Sequence, residues 1–338
     1  MNKPILAFTM GDAAGIGPEI VLKALAAPTL WEQCQPVIIG DPAILDQIDA
    51  GAVPNPVGSG LTLREVDAPS AEPPDYPVVE VFCPPEARLG EAEWGRLDPA
   101  YGAAAAACLR TAYEFAIAGH VQGVVSAPLN KEAFHRAGYD YDDELKWLAA
   151  LTDSPNALMM GLMHEVWTVA VAEHVAFSAI LDHVKQARIL RYIRAMHGVL
   201  SDLDASHRRI AVAALNVHGG EGGLFGREEI DEIAPAIEAA RAEGIEVSGP
   251  VPADMVFVQA LAGRFDGVVA MHHDQANIAR KLQPMSAGAT IFVGLPVYGG
   301  TTAHGTAFDI AGQGVADPGS LMAAATTVAR LAQGVASR

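Results

Sequence analysis

Short runs of Val, Ile, Ala and Leu alternate along this chain with longer stretches in which apolar residues return every three or four positions. The first pattern suits strands buried on both faces, and the second suits the helices that cover them. The alternation therefore predicts an α/β fold built on parallel or mixed sheets. Strands are predicted at residues 5–9, 36–40, 78–82, 121–127, 157–163, 166–172, 209–215 and 267–271. Helices are predicted at 18–26, 101–118, 130–137, 144–151, 184–203, 228–243 and 320–333. Pro18 falls where a first-turn proline is tolerated, because its missing N–H would have gone unpaired. Residues 68–85 are rich in Pro, Glu and Asp and read as a surface excursion around the strand at 78–82.

At 338 residues the chain exceeds the size that one core serves efficiently, which predicts two domains. Glycine-rich segments lie near both ends, at Met10-Gly-Asp-Ala-Ala-Gly-Ile-Gly-Pro-Glu19 and at His304-Gly-Thr-Ala-Phe-Asp-Ile-Ala-Gly-Gln-Gly314. If both face one cleft, one domain must be discontinuous. The expected division is residues 1–130 plus 295–338 as a nucleotide-side domain, and 131–294 as a domain for metal, substrate and dimer contacts.

A hydrophobic share of 51% with only 6% aromatic points to cores of small and branched aliphatic side chains. The net charge of −18 argues against a nucleic-acid partner, which needs clustered Lys and Arg. Part of the acidity lies at residues 227–233 and reads as a solvated helix start. Cys34, Cys83 and Cys108 form no paired motif, as in a reducing compartment. The first apolar run meets Gly11-Asp12 too early for a signal-peptide core, and no apolar stretch reaches membrane-spanning length. The expectation is a cytoplasmic protein without a membrane partner.

The segment from His304 to Gly314 has too few large apolar side chains to fill a core. It reads as a loop whose backbone approaches a ligand closely. It resembles the nucleotide-binding loop of isocitrate and isopropylmalate dehydrogenases; the plain alternative is a glycine-rich turn before a terminal helix. His174, His218 and His273 each follow a predicted strand at its C-terminal end, the edge where open α/β sheets bind ligands. One such histidine would be an ordinary loop residue, but three in the same topological position suit a divalent metal with open coordination positions. His120, His135, His183, His197 and His207 read as surface residues. Lys281, eight residues after His273, is either a proton-transfer group or a solvated lysine beside Arg280.

Together these segments resemble the 4-hydroxythreonine-4-phosphate dehydrogenase family along nearly the whole chain. The resemblance rests on Gly11 to Ile20, Ser126-Ala-Pro-Leu-Asn-Lys131, Ala172-Glu-His174, Leu215 to Gly223, Gly249-Pro-Val-Pro-Ala-Asp254, His273-Asp-Gln275 and His304 to Asp309. It implies an isocitrate-dehydrogenase-like two-domain fold with the active site in a cleft between the domains, and a homodimer whose metal sites are shared between subunits. It also implies one divalent metal on His174, His218 and His273, zinc by preference, with magnesium, manganese, cobalt or nickel as alternatives. NAD or NADP would lie on Gly294, His304, Gly305, Thr306, Asp309 and Gly312. Lys281, Asp274 and Asp254 are the catalytic candidates. The family's substrate-holding positions fall on Glu144, Lys281, Thr290 and Gly299. Three of these depart from the family: its His is Glu144 here, its Asn is Thr290, and its phosphate-holding Arg is Gly299.

The implied reaction is oxidation of a hydroxy acid, with decarboxylation where a carboxylate lies β to the new ketone. Because an Arg at a phosphate site is not replaceable by glycine, paralogues acting on unphosphorylated substrates, such as carboxylated cis-dihydrodiols of the terephthalate type, are the alternative. A metal-dependent decarboxylase or hydrolase without redox chemistry and a non-catalytic binding protein are further rivals. Neither has a use for the His304 to Gly314 loop.

Overall fold

The computed structural model describes residues 3–51, 53–203, 208–284 and 288–337. Two units emerge: unit 1 is Met1–Met159 with Ala289–Arg338, and unit 2 is Met160–Gly288. In chain order, unit 1 begins with β1 (Ile5–Thr9), α1 (Gly17–Leu25), α2 (Pro28–Trp31), β2 (Gln35–Ile39), α3 (Pro42–Asp49), β3 (Thr62–Glu65) and β4 (Val78–Phe82). It continues with α4 (Pro99–Ile117), β5 (Gly123–Ser126), α5 (Lys131–Arg136) and α6 (Glu144–Leu151). Unit 2 is built from β6 (Leu158–Met163), β7 (Val166–Ala172), α7 (Ile180–His183), α8 (Gln186–Asp202), β8 (Ile210–Ala213), α9 (Ala234–Ala242), β9 (Val247–Val251), α10 (Ala253–Leu261), β10 (Gly267–His272) and α11 (His273–Lys281). The chain returns to unit 1 with β11 (Gly288–Val293), β12 (Gly299–Thr302) and α12 (Gly319–Ala336).

Unit 1 carries strands in the order β3-β4-β2-β1-β5-β12-β11. All neighbours are parallel except β11 and β12. Every residue of β1 is buried, as expected for a central parallel strand covered on both faces. Thr9 pairs with Ile39 on one side and Ser126 on the other, and Ser126 pairs with Thr301. This register brings the C-terminal ends of β1, β2, β5 and β12 to one edge, where the glycine-rich loop after β1 emerges.

The alanine-rich α4 packs Ala104, Ala106, Ala107 and Ala112 into a core with Ala7, Val37, Ile39 and Val124. Phe134, Trp147 and Leu148 belong to the same core. The Phe134 ring stacks on Tyr139 at 4.6 Å, and Trp147 meets both edge-on at 5.4 and 5.3 Å. Residues 131–159 and 289–294, which the sequence pattern placed in the middle domain, thus pack in unit 1. The amphipathic period of α5 and α6 announces an apolar face but not the core that receives it.

In unit 2 the order is β6-β7-β10-β8-β9, parallel except for the β6–β7 hairpin. Ala172 pairs with His272, so β7 and β10 end level with one another. The predicted helix 228–243 opens on a π-type turn at Glu229–Ile233 before α9, whose second residue, Pro235, has no N–H to donate to the preceding turn. The sequence pattern missed β3, β9, β11, β12, α2, α3, α7, α10 and α11. β9 contains Gly249-Pro250 and runs at the sheet edge, where a missing donor is tolerated.

Replacing Trp147 by Ala should cost about 3–5 kcal/mol, the usual range for a large aromatic removed from a core, because Trp147 is 7% exposed and packs edge-on against two rings. Urea denaturation measures this; a loss under 1 kcal/mol would place α6 outside the unit 1 core.

Candidate active site

In unit 2, the ends of β7 and β10 set His174 and His273 side by side, with ring centroids 6.0 Å apart. His174 adopts a left-handed backbone at φ 50°, two residues past β7. His273 opens α11, and its Nδ1 lies 2.8 Å from Asp274 Oδ1. A carboxylate on one ring nitrogen fixes the tautomer and leaves Nε2 available as a ligand. Asp274 is held below its ordinary range, chiefly by that hydrogen bond. His272, the preceding residue, packs edge-on to Phe177 at 5.9 Å, and burial lowers its pKa.

His218 sits in the turn Val217–Gly223, where five consecutive residues adopt left-handed conformations. Its side chain is 65% exposed, with Nδ1 3.4 Å from Glu221. Among the described residues, no three His, Cys, Asp or Glu side chains of one chain converge as a metal cage. The donor chemistry of His174 and of the His273–Asp274 pair still fits a divalent ion. The turn is anchored by Glu229, which is 5% exposed. Its carboxylate accepts from the backbone N–H groups of Leu215 and Asn216 at 2.8 and 2.7 Å and from Asn216 Nδ2 at 2.9 Å. The acidic run at 227–233, expected to be a solvated face, thus contributes a buried anchor instead. Three partly buried N–H and amide donors needed an acceptor, and composition alone does not reveal that.

Asp254, in the first turn of α10, lines a recess of about 500 Å³ with His272, Asp274, Phe257, Ile278 and Leu282. Lys281 ends α11 and is exposed. His120 and His135 are exposed, His183 and His197 are partly buried, and His207 lies outside the described residues.

In unit 1, the loop after β1 and the segment after β12 are sewn together. Ile16 N–H donates to Thr306 O at 3.0 Å. Glu19 of α1, 1% exposed, accepts from the N–H groups of Gly314 and Ala316 at 3.2 and 2.7 Å. Lys23, one turn later, donates to the carbonyls of the same two residues at 3.0 and 2.8 Å and pairs with Glu19 at 2.8 Å. One ion pair thus satisfies four backbone groups of the C-terminal loop. The Glu19-x-x-x-Lys23 spacing was the sequence signal available for it.

Gly312 has φ +72°, and a Cβ there would stand 2.5 Å from the Trp94 ring, so no larger residue fits. Gly305 faces open space, His304 Nδ1 lies 3.1 Å from Gly305 O, and Asp309 O accepts from Gln313 Nε2 at 2.7 Å. Gly294 turns the chain after β11 at φ +84°. The open backbone of this loop fits a dinucleotide. Asp12 lies beside it, fully buried. One of its oxygens accepts from Ala14 N–H at 2.9 Å and the other has no hydrogen-bond partner. Burial pushes its pKa up to about 6, against the Ala14 hydrogen bond and with help from Asp98.

Residues 32–328 match the family model described as pyridoxal phosphate biosynthetic protein PdxA. The chain belongs to this family. It is 39% identical over 331 residues to the D-threonate 4-phosphate dehydrogenase of Cupriavidus necator, covering 97% of each protein. The crystal structure of 4-hydroxythreonine-4-phosphate dehydrogenase from Klebsiella pneumoniae is similar at a TM-score of 0.85 and 38% identity, covering 98% of this chain and 100% of that one. A terephthalate 1,2-cis-dihydrodiol dehydrogenase from Burkholderia xenovorans is similar at a TM-score of 0.68 and 28% identity, covering 97% and 98%.

Within this PdxA family member, the positions that depart from the expected substrate set all lie in unit 1. Glu144 opens α6 behind Asp143, whose side chain accepts from Lys146 N–H at 2.8 Å. Protein surrounds the Glu144 carboxyl although it keeps partial solvent access, and burial pushes its pKa up to about 7; Asp143 adds to the shift and Lys131 opposes it. Thr290 pairs with Thr301 across β11 and β12. Gly299 is buried, and a Cβ there would stand 2.2 Å from the Tyr113 hydroxyl. Lys146 and Arg280 are cations that could stand in for the arginine. Lys146 is paired with Asp142. Arg280 lies in unit 2 against Gly161, within the field of Glu173.

Glu19→Gln should cost about 1–3 kcal/mol in thermal or urea denaturation, since it leaves the partly buried Lys23 ammonium without its counter-charge. An unchanged midpoint would mean that the pair does not hold the loop. Asp12 makes a pH-dependent contribution of known sign. Its folded pKa of about 6 lies above the ordinary 3.8, so its stabilising protonation is complete below 3.8 and is lost as pH rises through 6. Asp12→Asn should therefore gain up to about 3 kcal/mol on the native protein at pH 8, about 1 kcal/mol at pH 4.5 and little below pH 3.8. Parallel stability–pH curves for the two proteins would contradict the assignment.

Proposed function

We propose that this protein oxidises the secondary alcohol of a small hydroxy acid with NAD or NADP, assisted by a divalent ion, and that decarboxylation follows where the product is a β-keto acid. Membership of a family whose relatives are named as dehydrogenases supports the oxidoreductase class. The observation that carries the reading is the pairing of His174 with a carboxylate-oriented His273 in a chain that keeps the His304 to Gly314 loop intact. The isocitrate-dehydrogenase-like character of the fold belongs to the same proposal.

His174, His218 and His273 would hold the ion, zinc by preference, and the loop 304–314 with Gly294 would hold the dinucleotide; when bound, these groups supply charge for the forming alkoxide and accept the hydride. Asp274 positions the His273 ring, so its carboxylate is committed to that bond. The hydroxyl proton is then left to Lys281 or Asp254. Lys281 lies eight residues beyond His273, just over two turns and about 12 Å along α11, and about 80° around the helix from it. Asp254 shares an open recess with Phe257, Ile278 and Leu282.

A homodimer is part of the proposal. Unit 2 exposes Val217, Leu224, Phe225, Ile278 and Leu282, an apolar set that a second copy would cover. Such a dimer would let His218 of one copy complete the histidine pair of the other. Among the described residues, no helix is long and apolar enough to cross a membrane.

The test is reduction of NAD+ and NADP+ by a panel of hydroxy acids, phosphorylated and free, with zinc, manganese or magnesium. His273→Ala should lower turnover at least a thousandfold, as should a chelator. Gly312→Phe should abolish nicotinamide reduction; release of CO2 at an undiminished rate from that variant would identify a decarboxylase instead.

A further inference from the structure

The segment between β4 and α4 lies against the loop after β12 and is itself tied down along its length. Leu89 and Gly90 donate their N–H groups to Asp41 Oδ2 at 2.6 and 2.8 Å. Ala92 exchanges two hydrogen bonds with the Gln47 side chain, both at 3.1 Å. Glu93 N–H donates to the Tyr101 hydroxyl at 3.0 Å, and Gly95 N–H donates to Ala14 O at 2.8 Å. With the backbone bonded on either side of it, Trp94 is held in one place against Gly312. A Cβ on that glycine would lie 2.5, 2.7 and 3.0 Å from Cγ, Cδ1 and Cδ2 of the indole. Nearly equal distances to three adjacent ring atoms put the glycine over the ring face and not at its edge. Beside it, Gly95 approaches Phe308 of the same loop, where a Cβ would stand 2.9 Å from the carbonyl oxygen. Trp94 Nε1 is buried and makes no hydrogen bond among the described residues, so what this side chain gives the loop is its apolar face.

Resting on the dinucleotide reading above, we propose that Trp94 is a positioning residue for the dinucleotide: its indole face holds the Gly312 backbone in the left-handed conformation, so that the loop is set before the dinucleotide binds. Glycine has no side chain to restrict it, and at φ +72° it stays in one conformation only if a neighbour confines it. A loop that had to find that conformation on binding would lose affinity in proportion to the time it spends elsewhere.

Amide hydrogen exchange on the free protein, together with titrations of NADH and NADPH, tests this. Gln313 N–H donates to Ile310 O and Gly314 N–H to Glu19, both at 3.2 Å, so the exchange of these amides reads opening of the loop. In Trp94→Ala they should exchange at least tenfold faster without any dinucleotide, while the amides of β1 keep their native rates. The same variant should bind the tighter of the two dinucleotides at least tenfold more weakly. Trp94→Phe keeps a ring face without the unpaired N–H, and should stay within about threefold of the native protein in both readouts. Gly312→Ala drives a methyl group into the indole, so it should weaken binding by a larger factor in the native background than beside Trp94→Ala. Where Trp94→Ala does not fold, Trp94→Leu, which fills space without a flat face, takes its place with the same expectations. Native exchange of the loop in that variant, equal acceleration of β1, or no recovery with Trp94→Phe would overturn the proposal. Dinucleotide bound with an affinity that Trp94→Ala leaves unchanged overturns this proposal alone, whereas native protein that binds neither dinucleotide overturns the dehydrogenase reading as well.

Discussion

The pairing of Glu19 with Lys23 inside unit 1 is the constraint on which the geometry of the loop after β12 rests. A buried ion pair is seldom a large source of stability, because removing both charges from water costs about as much as their attraction returns. Here its value is positional. Its oxygens and ammonium hydrogens meet the N–H and C=O groups of both Gly314 and Ala316. A glycine-rich loop with few large apolar side chains is weakly fixed by packing, so hydrogen bonds hold much of it. The chain ends are thus locked together by polar contacts, while the aliphatic cores below supply the cohesion.

Unit 2 solves a comparable problem with Glu229. The turn that presents His218 runs through left-handed conformations at His218 and Glu221, each unfavourable for a residue with a Cβ by about 1–2 kcal/mol. Glu229 repays part of this by satisfying the backbone where the turn leaves β8. His174 carries the same kind of strain. Strained backbone at three histidine-bearing or neighbouring positions is the pattern expected when geometry at a site takes precedence over local comfort.

Much of this was legible in the residues. The fully buried β1 and β7 and the buried run 267–271 of β10 declared themselves as aliphatic runs, and the histidines declared themselves by following strand ends. What was not legible had physical reasons. β12 is Gly-Gly-Thr-Thr, a strand held by its neighbours β5 and β11 and not by any apolar alternation of its own. α11 starts at His273 itself, so a polar helix begins on the residue that looked like the end of a strand. Glu229 reads as a surface acid because a carboxylate's burial depends on partners outside its own helix. The clash between position 299 and Tyr113 links residues nearly 200 positions apart, and no local pattern records it.

The central claim is that the polar-clamped loop after β12 seats a nicotinamide dinucleotide. Amide hydrogen exchange with and without saturating NAD+ or NADP+ measures this most directly. The account requires that residues 304–316, together with the loop after β1, gain protection with at least one of the two dinucleotides. Unchanged exchange in both segments with either dinucleotide would contradict it.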